Sequence, residues 1–220
     1  MGTSQLKSFW NLNKDVTPFL LKVASLTFSS FALILYLLVS YILGEWHFDI
    51  QFALITFLVS SILFPVFTFT AAYIEWSKND KARQKAYSKF PFNELHMLGF
   101  TSCITGNKWT FFEEIKYSQL AGFNIYADID YENRKCLQFH FIVEYPNLPK
   151  KKFKQLKKEL KALNIQEAIN SVFVQYETTK PSVNNIDHLE KELLQVTNIL
   201  AAKGLISSPE PHKAKQTQEK

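Results

Sequence analysis

Two long apolar segments dominate the first third of the chain. Residues 23–43 (VASLTFSSFALILYLLVSYIL) and residues 51–74 (QFALITFLVSSILFPVFTFTAAYI) contain no charged side chain. A helix rises about 1.5 Å per residue, so each segment reaches roughly 30 Å, the thickness of a bilayer's hydrocarbon core. A helix of a water-soluble core would carry a charged stripe, and neither segment has one. The pattern predicts an integral membrane protein with a transmembrane hairpin over residues 21–76.

Charge on either side of the two segments predicts their orientation. Residues 44–50 (GEWHFDI) leave room only for a turn, which carries two acidic residues and no Lys or Arg. Eight basic residues flank the segments on the other side: Lys7, Lys14, Lys22, Lys78, Lys81, Arg83, Lys85 and Lys89. The positive-inside rule therefore predicts that both termini are cytoplasmic. Three tryptophans near the segment ends are predicted interface anchors: Trp10, Trp46 and Trp76.

Beyond residue 76 the pattern changes to alternation, which is typical of half-buried strands. The clearest case runs from residue 122 to residue 145, where apolar residues occupy every second position in two stretches. Directly opposed residues in a hairpin must share a face. A three-residue loop at residues 133–135 places all the apolar residues on one face and pairs Tyr131 with Leu137. The same register predicts that Asp128 lies opposite His140.

The remaining elements complete an α+β domain. A short helix is predicted between Pro91 and Gly99, and strands over residues 100–105, 108–117 and 172–178. Together with the hairpin they predict a small antiparallel sheet covered on one face by amphipathic helices. The expected organisation is an N-terminal cytoplasmic or interfacial segment (1–20), the hairpin (21–76), a cytoplasmic domain (77–206) and a disordered tail (207–220).

A lysine-rich amphipathic helix is predicted over residues 147–163. One face is apolar, and the rest holds the candidate contacts with a lipid surface: Lys150, Lys151, Lys154, Lys157, Lys158 and Lys161. Close to a bilayer, such lysines attract anionic headgroups by about 1 kcal/mol each. The alternatives are a nucleic-acid footprint and an ordinary solvated helix face.

A second amphipathic helix is predicted near the C-terminus. Its apolar residues recur at alternating spacings of three and four: Ile186, Leu189, Leu193, Val196 and Leu200. The stripe spans about two heptads, and a coiled coil requires three or four. We expect this stripe to dock on its own domain, with self-association into a homo-oligomer as the alternative.

Composition limits the function classes. The chain has 220 residues, a net charge of +5 and only two arginines, Arg83 and Arg134. Nucleic-acid readers favour Arg for bidentate contacts, so nucleic acid is not the expected partner. The two cysteines, Cys103 and Cys136, have no metal-binding spacing. We interpret them as small strand residues that stay reduced in the cytosol.

No catalytic motif is present in the sequence. There is no glycine-rich phosphate loop, G-x-S-x-G, paired-cysteine or H-E-x-x-H motif, and the five histidines fall on different elements. One strand face gathers acidic residues around a single imidazole, and these are Asp128, Asp130, Glu132, His140 and Glu144. A general acid–base pair could form there, but a solvated face of an antiparallel sheet is the commoner arrangement. No enzyme activity, cofactor or metal is expected.

These observations predict a two-pass protein of the plasma (inner) membrane of a bacterium. The expected function is that of a non-enzymatic, membrane-anchored interaction protein, such as a subunit, an adaptor or an immunity-type inhibitor. Its partners would be the bilayer, including anionic headgroups, and a protein that meets the cytoplasmic domain. The alternative is a ligand-gated effector with two transmembrane helices that oligomerises and perturbs the bilayer.

Overall fold

The computed structural model describes residues 3–42, 50–168 and 170–208, which form two compact units. The first unit is Met1–Lys78 with Gly106–Phe112, and the second is Asn79–Thr105 with Glu113–Lys220. Most of the predicted turn between the apolar segments, including Trp46, lies outside the described residues. So does the predicted disordered tail from residue 209 onward, whereas Ser207 belongs to a strand.

The first unit contains three helices, α1 (Thr3–Asn13), α2 (Thr17–Ile42) and α3 (Ile50–Tyr87). Helix α3 is 38 residues long, and its last residues belong to the second unit. Both α2 and α3 are long and apolar enough to cross a membrane. Only 6% of the most apolar window of α2 and 17% of that of α3 are buried. The predicted pair of long apolar helices near the N-terminus is therefore confirmed.

Serine side chains join α2 to α3. Ser25 Oγ donates to the carbonyl oxygen of Ser61 at 3.0 Å. The hydroxyls of Ser29 and Ser61 are 2.5 Å apart, and Ser61 Oγ also donates to the carbonyl oxygen of Phe57. Because the Ser61 proton is used within its own helix, Ser29 must be the donor to Ser61. These bonds satisfy the serine hydroxyls within the pair of helices.

An aromatic cluster holds α1 against α3 and against the segment Gly106–Phe112. The ring of Phe9 is fully buried and lies 5.1 Å from the rings of both Trp76 and Phe111. The backbone of Phe112 is bound by side chains, since Asn13 Oδ1 accepts from its amide and Trp76 Nε1 donates to its carbonyl oxygen at 3.0 Å. Residues 108–112 were predicted to begin a strand. That prediction is wrong. The backbone N–H and carbonyl of Phe112 bond to side chains of α1 and α3 instead of to a neighbouring strand.

The second unit is built on an antiparallel sheet. Its path has the order β1-β2-β3-β4-β6-β5, with β7 paired to β4 off this path. The strands are β1 (Thr101–Thr105), β2 (Glu113–Leu120), β3 (Phe123–Ile129), β4 (Cys136–Glu144), β5 (Gln166–Ala168), β6 (Ser171–Glu177) and β7 (Ile206–Ser207). The predicted downstream antiparallel sheet is confirmed.

Helices pack against the apolar residues of this sheet. They are a 3-10 helix (Phe92–Leu98), α4 (Lys150–Ala162) and α5 (Ile186–Ala202). Phe139 and Phe141 of β4 are completely buried and share one core with Leu160 of α4 and Leu189 of α5. The 3-10 helix ends at Gly99, whose φ of 74° is a conformation that glycine adopts without strain.

The hairpin β3–β4 has the predicted faces but a different register. The predicted pairing of Asp128 with His140 is wrong, because Asp128 lies opposite Gln138 and His140 lies opposite Tyr126. The strands are joined by five residues rather than three, since Asp130 still bonds to Cys136. Tyr131 leaves the strand to hydrogen-bond elsewhere in the unit. A shift of two residues keeps every side chain on its face, so the apolar alternation could not detect it.

Candidate functional site

A buried arginine organises the polar centre of the second unit. The side chain of Arg83, near the end of α3, is only 2% exposed. Its Nε donates to Asp128 Oδ1 at 2.6 Å, and its Nη2 donates to Glu113 Oε2 at 2.5 Å and to Tyr131 Oη at 2.7 Å. Two carboxylates therefore share one guanidinium, and both are themselves partly shielded from water.

This ion cluster fixes the last turns of α3 to β2 and β3. Tyr87, one helical turn after Arg83, donates its hydroxyl to the carbonyl oxygen of Ala127 at 2.7 Å. Tyr131 donates to Glu113 as well as receiving the Arg83 bond, so its ring closes the cluster. These contacts hold the end of α3 against the two strands. The two carboxylates also offset the buried charge of Arg83.

The ionisation of the cluster follows from its burial. Burial lowers the pKa of Arg83, but the charge and hydrogen bond of Asp128, with Tyr131 and Glu113, together raise it above its ordinary value. The guanidinium therefore stays charged. Burial and the Asp128 carboxylate together raise the pKa of Tyr131, which therefore remains a neutral donor. The cluster accordingly keeps a charged guanidinium beside a neutral phenol.

Helix α4 presents the predicted lysines along an exposed side. Lys150, Lys151, Lys154, Lys158 and Lys161 are exposed, and Lys157 is half-buried. Lys157 pairs with Glu167 of β5, and its ammonium lies 4.6 Å from the centroid of the Phe153 ring. The other five lysines form no ion pair within the residues that the structure describes. Their charge is available to an external partner.

A shallow groove of about 550 Å³ runs between α4 and β5. Four of the α4 lysines line it, together with Asn164, Ile165, Gln166 and Glu167. One carboxylate oxygen of Glu167 is buried and has no hydrogen-bond partner among the described residues. The groove is therefore strongly basic along its helical wall and carries one carboxylate at its floor.

The other predicted site residues lie in different surroundings. Trp10 is 49% exposed, whereas Trp76 is 5% exposed and donates its ring N–H within the first unit. Trp46 lies outside the described residues. The α5 stripe is buried in the core of its own unit, with every one of its members below a tenth exposed: Ile186, Leu189, Leu193, Val196 and Leu200.

The acidic strand face does not form an acid–base pair. Asp128 turns to Arg83, and Asp130 accepts a hydrogen bond from the backbone of Glu132. His140 Nε2 lies 3.0 Å from Gln138 Oε1, and its Nδ1 lies 3.3 Å from Ser171 Oγ. Because the amide nitrogen of Gln138 donates to Gln175, its oxygen is the acceptor for His140. The imidazole therefore carries its proton on Nε2.

Sequence reasoning missed the role of Arg83. In the sequence it was one of eight basic flanking residues, and its distance of 45 residues from Asp128 gives no local signal. The available hint was the rarity of arginine in this chain. Among the described residues, no group of three or more His, Cys, Asp or Glu side chains is placed to hold a metal ion.

Comparison with known proteins adds no family. The chain matches no family model, and neither a curated protein nor a solved structure is significantly similar to it. The functional proposal therefore rests on the helices, the ion cluster and the basic surfaces described above.

Proposed function

We propose that this chain is a membrane-anchored, non-enzymatic interaction protein. In this proposal α2 and α3 form a transmembrane hairpin in the plasma (inner) membrane, and the second unit binds partners in the cytoplasm. One observation carries the proposal, namely the exposure of large apolar side chains along both helices. Phe31 is 63% exposed, Leu58 58% and Phe67 74%. Water would disfavour such a surface, and lipid chains would cover it.

Charge supports the cytoplasmic placement. Eight basic residues flank the two apolar segments 23–43 and 51–74, against none in the turn between them. Lys and Arg are retained on the cytoplasmic side of bacterial membranes, so the second unit would fold in the cytosol. The same placement would keep Cys103 and Cys136 reduced, in agreement with two buried thiols that are not joined in a disulfide.

A binding role is favoured over catalysis by how the second unit uses its buried charges. Arg83 is paired with Asp128 and Glu113, and Tyr176 donates to Glu192 at 2.8 Å. These groups bond to one another inside the unit and stabilise its fold. The exposed lysines of α4 instead face solvent. They suit a partner with negative charge, either an acidic protein surface or the anionic headgroups beside the anchor.

Membrane anchoring and partner binding can be tested separately. Alkaline carbonate extraction of cell membranes should leave the full chain in the pellet, and its release into the supernatant would contradict the anchor. Chemical cross-linking in cells, followed by mass spectrometry, should yield one recurrent protein partner linked through α4. The double variant Lys154→Gln, Lys158→Gln should lose that cross-link, whereas Lys180→Gln, Lys191→Gln should keep it.

A ligand-gated effector is the second candidate, and the continuity of α3 favours it. The same helix contains an apolar segment long enough to span a bilayer and the buried Arg83 of the sheet unit. In this candidate, ligand binding at the sheet would act on the helix that also spans the bilayer. Toxicity on overexpression, with leakage of a small dye from the cells, would favour this candidate. A stable complex with one partner would favour the interaction protein.

A further inference from the structure

The connection between β1 and β2 belongs to the first unit, although both strands belong to the second. It runs from Gly106 to Phe112 (GNKWTFF) and is longer than the roughly two to five residues that join most β-hairpins. Asn107 sets its conformation. The side-chain oxygen of Asn107 accepts from the backbone N–H of Trp109 at 2.8 Å, and its carbonyl oxygen accepts from the N–H of Thr110 at 3.1 Å. The connection is therefore an ordered turn held by its own hydrogen bonds.

An aromatic contact places this connection beside the start of α2. The rings of Trp109 and Phe19 pack edge to face, with their centroids 5.0 Å apart. Phe19 is the third residue of α2 and precedes the uncharged segment 23–43 by four residues. A helix rises about 1.5 Å per residue, so Phe19 lies about 6 Å outside the end of that segment. The headgroup region on each side of a bilayer is roughly 5–7 Å thick. Trp109 therefore lies at the level of the headgroups when α2 spans a bilayer.

Helix α3 gives the same level independently. The carbonyl oxygen of Phe112 accepts from the ring N–H of Trp76 at 3.0 Å, and Trp76 lies two residues beyond the uncharged segment 51–74. That offset is about 3 Å along the helix. The ring of Phe111 reaches further, since its centroid is 5.9 Å from that of Phe69, which lies five residues inside the same segment. Contacts with two helices thus place the connection at the boundary between headgroups and hydrocarbon.

The exposed side chains of the connection are of the types that a membrane interface favours. Trp109 is 57% exposed in spite of its contact with Phe19. Lys108 is also exposed, and its ammonium lies 5.4 Å from the centroid of the Trp109 ring. An indole combines an apolar body with one polar N–H and is enriched at the interface, and a lysine beside it can extend its charge to the lipid phosphates. The sequence of the connection contains no acidic residue that would oppose this contact.

We propose that the β1–β2 connection inserts Trp109 into the lipid headgroup region and so forms a further contact with the membrane. The partner is the bilayer itself, bound through the indole of Trp109 and the ammonium of Lys108. This inference rests on the proposed membrane anchor, because the level of the connection is measured from the ends of two spanning helices. It adds to that anchor, since a turn between two strands would contact lipid as well as the helices. The contact does not involve the lysines of α4.

The test measures the tryptophan fluorescence of the full chain in phosphatidylcholine nanodiscs. Subtraction of the Trp109→Phe spectrum from the wild-type spectrum isolates the emission of Trp109, and phenylalanine keeps an aromatic ring against Phe19. Lipid that is brominated near the headgroup end of its acyl chains should quench this emission more strongly than lipid brominated near the chain ends. Iodide in the water should quench it only weakly. Strong quenching by iodide, without quenching by either brominated lipid, would overturn the proposal.

Two matched variants calibrate the depth and separate this inference from the anchor. Phe31→Trp adds a tryptophan at an exposed position inside the segment 23–43, and its emission should be quenched most by lipid brominated near the chain ends. Lys180→Trp adds one at an exposed position of the second unit, and its emission should respond to iodide alone. Absence of lipid quenching in Phe31→Trp would contradict the membrane anchor itself. Lipid quenching in Phe31→Trp, combined with a Trp109 response equal to that of Lys180→Trp, would contradict only the proposed role of the connection.

Discussion

Arg83 Nε donates to Asp128 Oδ1 at 2.6 Å across 45 residues of sequence. The pair joins the C-terminal end of α3 to the sheet, and Nη2 of the same guanidinium donates to Glu113 and Tyr131. Both partners of the pair are largely removed from water, at 2% and 13% exposure. A charge in such surroundings is stabilised only while its partner is present.

Removal of Arg83 should therefore destabilise the second unit strongly. Arg83→Gln leaves the carboxylates of Asp128 and Glu113 close together without a cation. We expect the free energy of unfolding to fall by about 3–5 kcal/mol. Asp128→Asn should cost less, because the amide oxygen can still accept from Arg83 Nε. The measurement is urea unfolding of the full chain in micelles, with pulse labelling of the buried Cys136 thiol as the reporter.

The control for this prediction lies two residues away on the same helix. Lys85 is exposed, and Lys85→Gln should change the free energy of unfolding by no more than about 0.5 kcal/mol. Equal effects of the Arg83 and Lys85 substitutions would show that the ion cluster contributes nothing special to stability.

Topology is the second prediction. A Cys introduced at His47, in the predicted external turn, should react with an impermeant maleimide in intact cells. A Cys introduced at Lys180, which is exposed on the second unit, should react only after lysis. The expectation follows from the excess of basic residues on one side of the two apolar segments. The opposite labelling pattern would place the second unit outside the cytoplasm and exclude the proposed partners.

The serine contact between α2 and α3 gives the third prediction. Ser29 and Ser61 are in direct hydrogen-bond contact within one chain, so Ser29→Cys, Ser61→Cys should form an intrachain disulfide on oxidation. The product should migrate as a monomer on a non-reducing gel. Phe67 is 74% exposed, and Ser29→Cys, Phe67→Cys should form no intrachain bond. A covalent dimer from the first variant would show instead that this face joins two chains.

The sequence predicted those features that depend on local periodicity. The uncharged runs of α2 and α3, the alternation of β3 and β4 and the stripe of α5 each require only neighbouring residues for their recognition. Burial of Phe139 and Phe141 on one face followed from the alternation alone. An offset of two residues in the hairpin did not follow, since alternation has a period of two and cannot distinguish such registers.

The features that sequence reasoning missed depend on contacts between distant segments. The aromatic run around Phe111 resembles a strand, but Asn13 and Trp76 bind the Phe112 backbone and pull the segment into the first unit. Arg83 resembles any other flanking basic residue until Asp128 is placed beside it.

His140 carries the fourth prediction, which concerns pH. Burial lowers the pKa of this imidazole below its ordinary value of 6.5, against a smaller opposing effect of Asp128 and Asp130. Above pH 6.5 the histidine is neutral in both folded and unfolded states and adds no pH dependence. As the pH falls below 6.5, the unfolded chain takes up a proton first, so the free energy of unfolding should decrease until the folded pKa is passed.

This behaviour can be measured directly. NMR titration of the His140 ring should give a pKa below 6.5, and Cys136 labelling in urea should show a matching loss of stability. His140→Gln should remove that part of the pH dependence, since an amide can bond to Gln138 and Ser171 without titrating. A wild-type profile that is retained in His140→Gln would assign the effect to another group.

The lysine surface of α4 gives the last prediction, which bears most directly on function. The test attaches a fluorophore at Gln155→Cys of the protein in nanodiscs that contain spin-labelled lipid. If the exposed lysines contact anionic headgroups, the fluorescence should be quenched more strongly in discs that contain phosphatidylserine than in discs that lack it. Each lysine contributes about 1 kcal/mol near such a surface, so Lys154→Gln, Lys158→Gln should reduce the association about thirtyfold. The variant Lys180→Gln, Lys191→Gln should behave as wild type.

High salt should abolish the effect, because screening shortens the reach of the charges to about 3 Å at 1 M. Equal quenching in neutral discs would exclude an electrostatic contact with lipid. Displacement of α4 from phosphatidylserine discs by a short DNA duplex would favour nucleic acid. No response to either would leave an acidic protein as the partner of this surface.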